Sequence, residues 1–179
     1  MTLWTVGHST RPFDEFLALL QAHGIRRLVD VRTIPRSRHN PQFDTDRLAK
    51  GLKKAALAYL HMPQLGGLRK PRRDSINAGW KNTSFRGYAD YMQTEPFSNA
   101  LEKLTASSNK IPTAIMCAEA VPWRCHRSLI ADALAVRGWT VRHIMTTTKA
   151  DRHRITAFAV IDQDRLTYPP PDALEAHTS

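Results

Sequence analysis

Both cysteines of the chain fall in one stretch, Met116-Cys117-Ala118-Glu119-Ala120-Val121-Pro122-Trp123-Arg124-Cys125-His126-Arg127, together with a carboxylate, an imidazole and two guanidiniums. A thiol near a helix start and beside cations ionises readily, because helix N-terminal amides and positive charge both favour the thiolate. Cys117 is the candidate nucleophile, and Cys125 a resolving or assisting thiol. Glu119 and His8 are the groups expected to handle protons, and His126 is suited to activate a cysteine or donate to an anion, or simply to cap the helix or bond backbone. Glu119 is equally suited to an ion pair with Arg32 or Arg127, and free cysteines are often simply small core residues.

Other segments carry matching chemistry. His8 lies between Gly7 and Ser9, where the backbone can approach a ligand closely, and Ser9 and Thr10 add hydroxyls. Arg32, Arg36 and Arg38 share one proline-containing loop and suit a phosphate or carboxylate, which guanidinium binds in bidentate fashion. Gly66 and Gly67 give a second flexible approach, and Arg127 a further cation. The run Arg69-Lys70-Pro71-Arg72-Arg73, with Trp80 and Phe85 for stacking, is the feature that fits nucleic acid. Cys117, Cys125, His126 and His8 are all metal-ligand types. However, a Cys-x7-Cys-His run lacks the short paired spacing of structural zinc sites, so no metal is assigned and a metal-dependent activity of Cys117, Cys125 and His126 stands as an alternative.

These groups need elements to hold them. Leu3–Val6 reads as a first strand ended by Gly7. Thr10 is the expected N-cap of a helix carrying Phe13, Phe16, Leu17 and Leu20, stopped at His23-Gly24. Ile25–Val31 is apolar and short enough for a buried strand. Asp44–Ala58 is expected as a helix, Tyr59–Met62 as a strand, and 74–84 as irregular chain. Phe85–Leu104 is expected to be helical, with Pro96 breaking or restarting it. A strand from Pro112 to Cys117, a helix to Arg137-Gly138 and a strand from Trp139 to Met145 follow. Ile155–Ile161 and Leu166–Tyr168 form a closing strand pair, and Thr146–Lys149 ends the strand before them.

The alternation predicts an α/β fold: one three-layer domain over 1–171, with a mostly parallel sheet of about five strands, helices on both faces, a C-terminal strand pair and a mobile tail over 172–179. In such a sheet the segments after each strand gather at the carboxyl edge, where ligands bind. His8–Thr10, Arg32–His39, Leu65–Arg69, Cys117–Arg127 and Thr146–Thr148 are those segments.

Across 179 residues, 26 Lys and Arg face 16 Asp and Glu, a formal charge of +10 that favours an anionic partner. No apolar run reaches the roughly 18 residues of a membrane span. The N-terminal stretch lacks a basic n-region followed by an apolar core, and two clustered cysteines do not make a disulfide scaffold, so a reducing cytoplasm is the expected setting.

Val6-Gly7-His8-Ser9-Thr10, Val29-Asp30-Val31-Arg32, Pro35-Arg36-Ser37, Asn40-Pro41-Gln42-Phe43, Leu65-Gly66-Gly67, Cys117-Ala118-Glu119, Cys125-His126-Arg127 and Leu166-Thr167-Tyr168-Pro169, in that order, closely resemble the signature set of the bacterial domain of unknown function 488 family. That resemblance implies no particular reaction. A more distant one, to rhodanese-like and cysteine-phosphatase-like folds, rests on Leu28–Arg32 and on the order strand, Cys117, loop, helix. It implies architecture only, since Arg124 stands seven residues after Cys117 in a loop without glycine, whereas phosphatase loops run Cys-x5-Arg.

The expected function is a cysteine-dependent enzyme, a hydrolase or transferase, acting on a small anionic or nucleotide-like substrate without a cofactor. Binding of nucleotide or nucleic acid without catalysis is the alternative. No membrane partner is expected, and the oligomeric state is not legible in the sequence.

Overall fold

The computed structural model describes residues 1–172. The expected tail over 172–179 lies outside the described residues apart from Asp172. Strands and helices run β1 (Thr2–Gly7), α1 (Phe13–Ala22), β2 (Arg27–Asp30), α2 (Thr45–Lys54), β3 (Ala58–His61), α3 (Thr83–Tyr91), α4 (Glu95–Ser108), β4 (Thr113–Cys117), α5 (Arg127–Val136), β5 (Thr140–Ile144), β6 (Ala150–Arg152), β7 (Val160–Asp162) and β8 (Arg165–Thr167). β1 to β5 are parallel, and the six-stranded sheet has the order β3-β2-β4-β1-β5-β6, with β6 antiparallel to β5. β7 and β8 form the separate antiparallel pair.

Successive strand side chains point to opposite faces, so parity sorts the core into two layers. Val6, Leu28, Ala114, Met116 and Ile144 meet Phe16, Leu19 and Leu20 of α1 and Leu48 and Leu52 of α2. Leu3, Val29, Ile115, Cys117 and Val141 meet α3, α4 and α5 through Tyr88, Leu101, Leu104, Leu129, Ile130 and Leu134. β4 is buried at all five positions, as a strand between two helical layers must be.

Several boundaries differ from the sequence reading. Pro12, not Thr10, is the N-cap of α1 and makes no side-chain cap bond, so Thr10 remains exposed ahead of the helix. α2 stops at Lys54, not Ala58, because Ala56 turns left-handed at φ 58° and sends the chain into β3. The expected restart at Pro96 is present, and the Phe85–Leu104 stretch forms two helices. Asn82 caps α3 through Ser84 N–H and Phe85 N–H, and Pro96 sits in the first turn of α4, where its missing N–H costs nothing. Strand β6 was not expected. Its three residues, Ala150-Asp151-Arg152, carry no alternating apolar pattern, and partner β5 supplies the register.

Candidate functional site

Cys117 is the last residue of β4, paired in register with Gly7 of β1. The pairing continues past both strands: His8 N–H donates to Cys117 O (3.0 Å) and Ser9 N–H to Ala118 O (2.9 Å). The loop then makes a 3-10 turn at Pro122–Arg124 that returns Cys125 and His126 to the foot of α5. As a result the Cys117 and Cys125 sulfurs and a ring nitrogen of His126 all lie within 4.8 Å of one another. Both thiols are free.

His126 has a defined orientation. Its Nε2 lies 3.3 Å from Val31 O, an acceptor only, so Nε2 carries the proton and Nδ1 faces the sulfurs, 3.7 Å from Cys125 and 4.0 Å from Cys117. The Cys125 S–H stabilises a negative Cys117 sulfur, as does the His126 imidazolium once Nδ1 has taken the Cys117 proton, and Arg127 adds positive charge, so the Cys117 thiol is held well below its ordinary range despite burial. Giving its proton to that interaction pushes the Cys125 thiol up, and burial adds to the effect.

Arg127 is buried. It donates through NH2 to Glu119 O (2.7 Å) and Ala120 O (3.0 Å), pinning the loop that follows Cys117. A Cβ on Gly7 would stand 1.8 Å from Glu119 O, so only glycine admits this loop against β1. The loop takes Arg127 through the backbone carbonyl of Glu119, while the Glu119 side chain stays exposed and makes no salt bridge to Arg32 or Arg127.

An open cleft of about 560 Å³ lies over Cys117 and is lined by His8, Ser9, Thr10, Arg32, Arg36, Gly67, Glu119 and His126, with Thr33, Ile34, Ser37, Asn40 and Leu68 among the others. The remaining expected site residues lie elsewhere. Cys125 is buried beneath His126, Gly66 packs under Thr33, Arg38 is an exposed side chain off the cleft, and Arg127 serves the loop.

Burial lowers the His8 pKa and so favours the neutral ring, and Nδ1 lies 2.7 Å from Ser9 O. Nδ1–H is therefore the donor, and Nε2 is left as an acceptor 3.3 Å from Arg32 NH1. Phe43 stacks on the ring at 4.2 Å. Ser9, at φ 51°, and Leu68, at φ 61°, are left-handed non-glycine residues, and both border the cleft.

Sequence reasoning missed Asp30 and Phe43. Asp30 is fully buried at the end of β2 and holds Arg32, while Phe43 orders His8. Two of the four cations in the basic run are engaged: Arg69 lies over the Tyr91 ring at 3.7 Å, and Arg72 pairs with Asp74. Trp80 and Phe85, expected to be open for stacking, pack on each other with ring centroids 4.8 Å apart.

Fold and site together define an α/β protein with a cysteine–cysteine–histidine cluster at the carboxyl edge of a mostly parallel sheet. The chain belongs to the family Domain of unknown function DUF488, whose model matches residues 12–134 and so includes both cysteines, His126 and Arg32. No curated protein and no solved structure matches the chain, and the likeness to rhodanese-like and cysteine-phosphatase-like folds has no counterpart in these comparisons. Among the described residues no helix is long and apolar enough to cross a membrane.

Proposed function

We propose that the protein is a cysteine-dependent enzyme, a hydrolase or transferase, acting on a small anionic or nucleotide-like substrate in the cleft over Cys117. One observation carries this reading: Cys117 sits at the floor of a cleft with His126 Nδ1 at 4.0 Å, Cys125 against both, and the cationic side chains Arg32 and Arg36 in the wall. His126 Nδ1 takes the Cys117 proton, and the thiolate attacks the electrophilic centre as that centre's bond to the leaving group breaks. Nδ1–H returns the proton to that group, and water or an acceptor then releases the Cys117 adduct. Arg36 is exposed and, among the described residues, forms no salt bridge, so it is the cation available to an anionic substituent. His8 is a neutral acceptor on the opposite wall, and Glu119 is a solvent-facing carboxylate at the rim.

The test is trapping with iodoacetamide, read by mass spectrometry site by site. Cys117 is expected to alkylate at about pH 6, where an ordinary thiol of pKa about 8.5 is well under about 1% ionised. Sulfate or phosphate should slow that reaction, and Arg36→Ala should abolish the protection. Two thiols that respond only near about pH 8.5, with no effect of either anion, would refute the proposal.

A further inference from the structure

We propose that Cys117 Sγ, Cys125 Sγ and His126 Nδ1 form a three-ligand site for a thiophilic divalent cation, zinc in particular, whose fourth position opens on the cleft. This goes beyond thiol chemistry, since an ion held there occupies the lone pair that a nucleophilic Cys117 would use.

The geometry carries it. In a tetrahedral zinc centre with Zn–S of about 2.3 Å and Zn–N of about 2.0 Å, sulfur and nitrogen ligands stand about 3.6 Å apart. Here Nδ1 of His126 lies 3.7 Å from one sulfur and 4.0 Å from the other, and all three ligand atoms lie within 4.8 Å. Small side-chain rotations close the set.

The histidine is already prepared as a ligand. Metal-bound imidazoles donate their second N–H to a carboxylate or carbonyl, which fixes the ring and raises its basicity. Nε2–H of His126 meets Val31 O at 3.3 Å in that role, and Tyr88 packs against the ring at a centroid distance of 4.9 Å. A Cβ on Gly67 would press on the same ring at 3.0 Å, so the glycine leaves it room.

Softness and charge decide the ion. Two thiolates with one imidazole select zinc or another thiophilic metal over magnesium or calcium, and two thiolates balance the charge of a divalent cation. Because Cys117 and His126 border the cleft while Cys125 lies beneath, the protein encloses the ion from one side only. Three protein ligands and one open position characterise catalytic zinc, as opposed to the closed four-ligand structural kind.

Cobalt(II) provides the probe. The full chain, reduced and stripped with a chelator, is titrated with Co²⁺ and then with Zn²⁺. Expected is a thiolate-to-cobalt charge-transfer band with visible bands of tetrahedral cobalt, saturating at one equivalent and bleached by one equivalent of zinc. Cys125→Ser and His126→Gln should each weaken zinc binding by about 100-fold or more, a ligand being worth at least what an outer-shell partner is. Circular dichroism shows whether each variant is folded, and His126→Gln, at a half-exposed position, provides the test if Cys125→Ser is not.

No tetrahedral cobalt signal, or one that both folded variants keep, overturns the site. Alkylation of the stripped protein separates this inference from the proposed function: rapid Cys117 labelling without a cobalt signal removes the metal site alone. A cobalt signal on a protein whose stripped Cys117 is inert removes the nucleophile alone. If both hold, zinc should protect Cys117 from iodoacetamide.

Discussion

Arg32 turns its guanidinium back onto Asp30: NH2 meets Oδ2 at 2.6 Å and Nε meets Oδ1 at 2.9 Å, both side chains buried. The residues are two apart at the end of β2, so they share a face, and the Arg32 amide also donates to Oδ1. NH2 has a second acceptor in Phe43 O, which leaves NH1, 3.3 Å from His8 Nε2, as the edge turned toward the cleft. Arg32 is thus a bracket between the sheet and His8, and free positive charge in the cleft wall falls to Arg36.

Removing the Asp30 carboxylate would strand this guanidinium in the interior. Breaking one side of a buried ion pair costs about 3–5 kcal/mol, well beyond the value of the pair itself, because the remaining charge is left uncompensated. Asp30→Ala is expected to lower unfolding free energy by about that much in denaturant titration, whereas Arg36→Ala should stay within about 0.5 kcal/mol of the parent. Equal effects from the two substitutions would contradict the division of labour between these arginines.

Gly7→Ala tests the anchoring of the loop after Cys117. The new Cβ would meet the Glu119 carbonyl at 1.8 Å and Arg127 NH2 at 2.9 Å, so either β1 or the loop has to move. The expected cost is about 1–3 kcal/mol, with loss of rapid Cys117 alkylation, because the carbonyls held by Arg127 are displaced. Gly24→Ala is the control. Gly24 has φ 67° with open space around it, so alanine strains only the backbone, by about 1–2 kcal/mol, and Cys117 labelling should be unchanged. A Gly7→Ala protein that labels like the parent would show that the loop does not depend on this contact.

The layering was legible in the sequence because strand parity and helical period report burial directly. Leu28 and Val29, adjacent in the chain, feed opposite layers, as an apolar run in a central strand implies. Convergence at the carboxyl edge was legible for four of the five segments, since His8, Arg32, Arg36, Gly67, Cys117, Glu119 and His126 line one cleft, whereas Thr146–Thr148 do not border it. The pairing within the cleft was not. Reading Arg32 as a free cation overlooked Asp30, although a period of two places them on one face. The seven residues between Cys117 and Cys125 lack the short paired spacing of structural zinc sites, yet the Pro122–Arg124 turn brings the two sulfurs together. A second polar chain, joining Thr5, His143, His153 and Asp132, left no local signal, because its members come from β1, β5, the segment after β6, and α5.

That chain makes the fold sensitive to acid. Asp132, fully buried, accepts from His153 Nε2–H at 2.7 Å, from the Tyr168 hydroxyl at 2.8 Å, and from the amide and hydroxyl of Thr156. His153 Nδ1 lies 2.9 Å from His143 Nε2, and His143 Nδ1 lies 2.7 Å from Thr5 Oγ1. Burial, with His153 and Arg127 nearby, lowers His143 to about 4, and the more distant carboxylates of Asp151 and Asp132 oppose this only weakly. In the unfolded chain the same group titrates at about 6.5. Between those values the unfolded state binds a proton that the folded state refuses, so stability falls as pH drops through about 6.5 toward about 4. At 1.36 kcal/mol per pH unit, His143 should account for about 2 kcal/mol of stability lost between about pH 7 and about pH 4.5. His143→Gln loses hydrogen bonds and is expected to be less stable at neutral pH, yet its unfolding free energy should decline by about 2 kcal/mol less over the same interval. Denaturant titration at both pH values measures the slope independently of the offset. Parallel declines in parent and variant would mean that His143 carries its proton into the folded state.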